Sequence, residues 1–329
     1  MAIKKIVSVV QPCDNGRAIS QWYCKELGFK LESQINNSEN CLTKLIGGQQ
    51  EITIKRFVLR LGDEKLELWE QTLPEGNIPI PLDSTSNDLW FQHICIVTEN
   101  IEKSLKKGLV NPQDTISTNT QTLPEWNRGA SGIKAIKFRN PIRQPLELLQ
   151  FPEDKGNNRW HVHSIHEQEN FDNDENSTGP NLGIDHSAIG ISDTKESLRF
   201  YQELLGFHVM GGGINYGLEQ DRLDGIKDTH VVITSLRPDA KEDVMGIELL
   251  QYERPTGGRR RNLPKANEIC DWRLILEATD LEKIHKKIKE SEWGSECGPI
   301  IQLYDGLNGY QRGFHSRDPD KHAIIVVGI

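Results

Sequence analysis

Long apolar runs are missing from this 329-residue chain. No window approaches the ~18 consecutive apolar residues of a membrane-crossing helix. The opening MAIKKIVSVVQPCDNG also has too short an apolar run for an export signal. Basic charge is in deficit: 39 Lys and Arg stand against 48 Asp and Glu, a net charge of −9. A nucleic-acid binder normally carries a basic surface, so that class is excluded as a first reading. The one basic cluster, GGRRRN at 257–262, sits among Gly and Pro and reads as a solvated loop. Paired cysteines are also missing. The six (Cys13, Cys24, Cys41, Cys95, Cys270 and Cys297) are scattered, with no C-x-x-C. That argues against a cysteine zinc site and for a reduced, cytoplasmic protein. Cys95 falls in an apolar run and reads as a small buried hydrophobe.

What is present is ordinary globular composition, 36% hydrophobic and 26% charged, with length for about two domains. Residues 153–182 are polar, acidic and without apolar period, which predicts a linker. His161, His163 and His166 lie in it and read as incidental. On either side the chain repeats itself. WYCKELGF at 22–29 matches FYQELLGF at 200–207, and FRNPIRQPLELL at 138–149 is echoed by SRDPDKHAIIVV at 316–327. The chain therefore reads as a tandem duplication, 1–152 and 183–329.

Each half divides again. Four β-rich runs, IVSVV (6–10), HICIV (93–97), HSAIGI (186–191) and RLILEA (273–278), each lead into a helical stretch. Helices are expected near 17–27, 101–108, 194–205 and 281–291. Each unit closes on another β-run: KLELWEQ, PLELLQF, GIELLQY and HAIIVV. One such unit is too small to bury its own sheet face, so the units are expected to pair.

The order strand–helix–three strands, the helix ending in F-Y-x-x-x-L-G-F, and a P-L-E-L strand after an N-P or D-P turn resemble the vicinal oxygen chelate superfamily. That group includes glyoxalase I, the extradiol dioxygenases and the bleomycin resistance proteins. The resemblance implies an α+β fold: four βαβββ modules paired into cup-shaped mixed sheets around a metal or ligand. It also implies that ligands come from the first and last strands of each module. Carried over position by position, module two offers His93 and Glu147, and module three offers His186 and Glu248. Module one offers Ser8 and Glu67; module four offers Arg273 and Ile325. A set of two His and two Glu arises if modules two and three share a cup. If modules one and two pair instead, the cup holds Ser8, Glu67, His93 and Glu147. The central pairing is preferred, because it explains why the outer modules lack donors.

Such a set suits one divalent ion: Fe, Mn, Ni, Co or Zn. Proton transfer next to a carbonyl, as in a glyoxalase I-like lyase or isomerase, would use Glu147 or Glu248 as base. The alternatives are an Fe²⁺ extradiol-type dioxygenase, with two His and one carboxylate, and a non-catalytic binding or resistance protein. The expected partner is a small-molecule substrate, bound by a monomer or homodimer, with no role for nucleic acid or membrane. TLPEWNRGASG at 122–132 and GGGINYGLEQ at 211–220 read as loops at the cup mouth, making Trp126, Arg128, Asn215 and Tyr216 candidate substrate contacts. Strand alternation predicts that Asp185 lies outside the cup and that Gln150 and Gln251 face away from it. The outer cup is expected to close on a Glu67–Arg273 ion pair.

Overall fold

A computed structural model describes residues 2–37, 40–46, 53–72, 76–105, 114–161, 179–241, 243–256, 258–260, 265 and 267–328. The four units appear in order. The first is β1 (Ile3–Cys13), α1 (Gly16–Leu27), β2 (Lys30–Asn37), α2 (Asn40–Leu45), β3 (Thr53–Leu61) and β4 (Glu64–Thr72). The second is β5 (Gln92–Thr98), α3 (Ile101–Leu105), β6 (Gln121–Thr122), β7 (Lys134–Arg139) and β8 (Pro145–Gln150). The third is β9 (Asn181–Ile191), α4 (Thr194–Leu198, continuing as a π-helix over Arg199–Leu204), β10 (His208–Tyr216), α5 (Leu218–Asp224), β11 (His230–Arg237) and β12 (Gly246–Arg254). The fourth is β13 (Arg273–Ala278), α6 (Leu281–Lys289), β14 (Ile301–Leu307), β15 (Tyr310–Arg317) and β16 (Ala323–Gly328).

Repeated sequence signals produce repeated local structure. Each module's first helix starts on an Asx cap: the side chains of Asn15, Asn100, Asp193 and Asp280 accept from the amides of Ala18, Lys103, Glu196 and Lys283. Both Leu-Gly-Phe motifs end their helices on a left-handed glycine, Gly28 at φ 77° and Gly206 at φ 79°. The N-P and D-P turns are alike as well. Asn140 and Asp318 open them, and Arg143 and Lys321 take positive φ. Each turn receives a buried tyrosine from the preceding module: Tyr23 lies beside Asn140, and the Tyr201 hydroxyl donates to Asp318. GGRRRN is not simply solvated, because Arg259 bonds Asp88 and Asp83 and lies over Trp90.

The modules pair into two eight-stranded mixed sheets. One runs β14-β15-β16-β13-β1-β4-β3-β2 and the other β10-β11-β12-β9-β5-β8-β7-β6. Module one thus pairs with module four, and module two with module three. Each sheet takes one module from each half of the sequence; of the expected linker, Asn158–Trp160 form a short helical turn with Trp160 buried, and β9 already begins at Asn181. One core joins the helix-side faces of both sheets to the inward faces of α1, α4 and α6, with Tyr23, Phe200, Tyr201, Ile284 and Ile288 among its buried members. The concave faces differ. The outer cup, of modules one and four, is filled by Leu42, Leu45, Ile54, Trp69, Leu303, Leu307 and Ile325. The inner cup, of modules two and three, carries two small separate apolar clusters, around Leu123 and Ile133 and around Val231 and Leu250. Gln150 and Gln251 face away from it and accept from the first turns of α3 and α4. No helix among the described residues is long and apolar enough to cross a membrane.

Candidate metal centre

Strand register brings the inner-cup residues together. Directly opposed residues on paired strands share a face. One row across the inner sheet reads Ser235–Glu248–Ala188–His93. The neighbouring row reads Gly246–His186–Cys95–Glu147–Lys137. The rows are adjacent and face the cup, so two strands of each module deliver His93, Glu147, His186 and Glu248 to one place.

The contacts are close. His93 Nε2 lies 3.1 Å from Glu147 Oε2, and His186 Nε2 lies 3.9 Å from the same oxygen. These three residues offer donor atoms all within 4.8 Å of one another. Glu248 stands outside that mutual set, with Oε2 at 3.3 Å from His186 Nε2. Two donors each about 2.1 Å from a common ion are themselves about 3–3.5 Å apart; the 3.1 Å His93–Glu147 contact has that spacing, and the 3.9 Å His186–Glu147 contact is wider. His186 Nε2 is buried without a hydrogen-bond partner while facing two carboxylates. That is the condition of an imidazole nitrogen placed to ligate. Both imidazoles and both carboxylates are hard-to-borderline donors suited to such an ion.

The electrostatics separate the four groups. Burial pulls the His93 imidazole down to about 4, so it is neutral and able to donate a lone pair. Burial would lower His186 too. Glu248, Asp185 and Glu147 outweigh it and raise His186 to about 9. Without an ion, a proton on Nε2 therefore balances the surrounding carboxylates. Burial would raise Glu147, but Lys137 and His93 bring it down to about 2, so it stays ionised. Burial, with the neighbouring Glu147 and Asp185 carboxylates, outweighs the pull of His186 and Lys137 and leaves the Glu248 carboxyl raised.

Asp185 corrects an expectation. Its Oδ2 is 2.8 Å from His186 Nδ1, although alternation would put adjacent residues on opposite faces. The reason is a register shift between Cys95 and Ile96: these pair with His186 and Ile184, leaving Asp185 unopposed in a bulge. Arg237 holds the carboxylate from the other side, donating to Oδ1 at 2.9 Å and to the Asp185 carbonyl. The arrangement fixes the His186 tautomer with Nε2 toward the cup. Asp185→Asn is expected to weaken divalent-metal affinity by about 10–100-fold, read by competition with a chromogenic chelator. An unchanged affinity would remove Asp185 from the site.

Lys137 is a cup residue that the motif reading missed. Its buried ammonium bonds Asp224 Oδ1 at 2.7 Å, tying β7 to α5, and Tyr252 and Gln220 donate to the same carboxylate. The signal for it was the hairpin turn at 140–144, which sets Lys137 opposite Glu147.

The proposed mouth residues do not all sit on loops. GGGINYGLEQ forms the end of β10 and the start of α5, because β10 pairs with β11 through Tyr216. Trp126 and Tyr216 are exposed and stack, with ring centroids 4.1 Å apart. Asn127 donates to the buried Asn215 at 2.6 Å. These contacts join the two edges of the sheet. Arg128 is exposed, and its carbonyl accepts from Lys155. Of the linker histidines, His161 lies beside the Lys155 carbonyl, while His163 and His166 fall outside the described residues.

In the outer cup the same rows recur: Ile325–Ile275–Ser8, and Arg273–Val10–Glu67–Val58. The expected Glu67–Arg273 pair is not formed. Glu67 takes a two-nitrogen contact from Arg56 at 2.9 and 3.0 Å, with further bonds from Ser8, Trp69 and Asn308. Arg273 turns to Asp271 at 2.8 Å, which Arg317 shares. The cause is geometric. Arg273 is taken up by the buried Asp271 two residues before it, whereas Arg56 enters from β3 beside Glu67.

No protein-family model matches the sequence, and no curated protein does. Solved structures do resemble the fold. Glyoxalase I from Zea mays is 12% identical, with a TM-score of 0.56 over 98% of this chain and 92% of that one. A mutant form of that enzyme gives 0.59 at the same identity and coverage. A putative dioxygenase from Bacillus subtilis is 14% identical, with a TM-score of 0.56 over 99% of this chain and 86% of that one. Four βαβββ modules in paired cups, matched end to end, are the vicinal oxygen chelate fold.

Proposed function

From the vicinal oxygen chelate fold and the inner-cup cluster, we propose that this chain is a divalent-metal-dependent enzyme. It acts on a small substrate with two neighbouring oxygens and moves a proton next to a carbonyl, as a lyase or isomerase does. The observation that carries the reading is the convergence of His93, Glu147 and His186 on one point, with Glu248 beside it. A bound ion would be held by His93, His186 and Glu147, and it would polarise the substrate carbonyl.

The chain's own residues then divide the work. Glu147 stays ionised beside Lys137 and serves as the fixed carboxylate ligand. Glu248 is the base. Its carboxyl is raised, mainly by burial, and it stands outside the tight cluster. A more basic carboxylate is better matched to removing a weakly acidic carbon-bound proton. Asp185 and Arg237 keep His186 oriented while the proton moves.

The tight set of two His and one carboxylate also supports a second reading, oxygen-dependent ring cleavage with Fe²⁺. The two readings divide on the role of Glu248. The test starts with metal analysis of protein purified without chelators. Methylglyoxal–thiol turnover and oxygen uptake with a catechol are then measured on the same sample. Under the proton-transfer reading, Glu248→Gln keeps its metal and loses about 10²–10⁴-fold in thiol-dependent turnover. Glu147→Gln loses the metal itself. Oxygen uptake that survives Glu248→Gln would instead establish the dioxygenase reading. Metal-free protein that still binds a small ligand would mean a sequestering protein.

A further inference from the structure

Strand β10 contains Gly211, Gly212 and Gly213, and glycine weakens a strand interior. The three are not equivalent. A Cβ on Gly212 would lie 2.3 Å from the Ile233 carbonyl oxygen, so the backbone requires glycine there. A Cβ on Gly211 or Gly213 would meet nothing within 4 Å, and neither takes a left-handed φ. The backbone gives no reason for glycine at these two positions.

Their register supplies one. Gly211 pairs with Ser235, and Ser235 pairs with Glu248, so Gly211 extends the row of the candidate base to the sheet edge. Gly213 does the same through Ile233 and Leu250. Both glycines therefore face the cup. Strands are spaced about 4.8 Å apart, so the open surface reaches about 10 Å from Glu248 to the edge. Neither row carries a charged side chain outward of Glu248. Toward the far end of β10, Asn215 on the same face accepts from Asn127.

We propose that Gly211 and Gly213 keep open a shelf for the substrate's tail, and that the tail is uncharged, flat and about two rings long. The proposal rests on the metal-chelate reading of the cup. The oxygens of the substrate sit at the His93–Glu147–His186 cluster. The tail passes over Glu248 and Ser235 and leaves across β10. Ile233 supplies an apolar floor, and Ser235 offers a hydroxyl to a neutral polar atom. A tail bearing carboxylates would find no free cation on these rows.

The test uses two oxygen-chelating probes on metal-loaded full-length protein, acetohydroxamate and 4-phenylbenzohydroxamate, with binding read by calorimetry. The wild type is expected to bind the long probe at least about 10-fold tighter, from apolar area covered on the shelf. Gly213→Phe and Gly211→Val remove that preference, leave acetohydroxamate within about 2-fold, and keep the metal. Both variants melt at or above the wild-type temperature, while Gly212→Ala melts lower. Undiminished preference for the long probe in both variants overturns the shelf and leaves the metal-chelate reading standing. Lower melting of both variants shows that the glycines serve the backbone, and it overturns the shelf too. If neither hydroxamate binds wild-type protein that retains its ion, the chelate reading falls first and the shelf with it.

Discussion

His186→Ala is expected to empty the inner cup of metal while the chain stays folded. His186 Nε2 faces both Glu147 and Glu248, and no other described residue replaces it in the cluster. Loss of a direct ligand should weaken the ion by more than the roughly 100-fold that loss of a supporting partner reaches. Metal per chain should fall from about one to below about 0.1 after dialysis. The fold survives because Asp185 keeps Arg237 and because the large core lies on the opposite sheet faces. A second readout follows from the proton on His186. The group is raised to about 9, so an ion binding at neutral pH must displace that proton. Wild-type protein should release about one proton per ion in weakly buffered solution, and its metal affinity should rise with pH until about 9. His186→Ala should release none. Full metal content in this variant would place the ion elsewhere.

Arg56→Ala is expected to cause the largest loss of stability, with metal content unchanged. Arg56 and Glu67 are both fully buried, and their contact crosses β3 and β4 inside the filled outer cup. Removing one partner of a buried pair leaves the other charge uncompensated, at about 3–5 kcal/mol. Ser8, Trp69 and Asn308 still bond Glu67, but all are neutral. Burial alone would raise the Glu67 carboxyl; Arg56 and those hydrogen bonds hold it below its ordinary value. A lowered folded value means stability that is present above the unfolded value near 4.5 and lost as pH falls through the folded one. Arg56→Ala should therefore flatten the acid limb of the stability curve below about pH 4.5. Arg273→Ala should cost less, because Asp271 keeps Arg317 at 2.8 Å. Denaturant melts of both variants, with metal analysis alongside, test the ranking. Equal losses would show that the outer cup does not depend on the Arg56–Glu67 pair, and loss of metal in Arg56→Ala would show that the two cups are coupled.

The outer cup and the inner one descend from the same pattern of strands, and the contrast shows how each was specialised. Position for position, Ser8, Glu67, Arg273 and Ile325 stand where His93, Glu147, His186 and Glu248 stand in the other sheet. The outer cup keeps one carboxylate and meets it with a guanidinium, and apolar side chains occupy the rest of the space. The inner cup keeps four polar donors in a setting that an ion would neutralise.

The amino-acid sequence by itself determined the modules and the positions of the His and Glu residues on their first and last strands. Leu-Gly-Phe needs a left-handed glycine to end a helix, N-P and D-P set the same turn twice, and apolar alternation marks the closing strands. These are local requirements, so a local reading reaches them. The hairpin arithmetic that sets Lys137 opposite Glu147 and Arg56 opposite Trp69 was also legible there, because a tight turn fixes register. Only the tertiary structure decided the rest. Which modules share a sheet depends on contacts between residues more than 80 positions apart, such as Cys95 with His186. Asp185 reaches His186 through a bulge that exists only once β9 pairs with β5, since a lone strand has no register to break. The cation that meets Glu67 was settled by which side chain lies beside it across the sheet, because Arg56 enters from the neighbouring strand while Asp271 takes up Arg273.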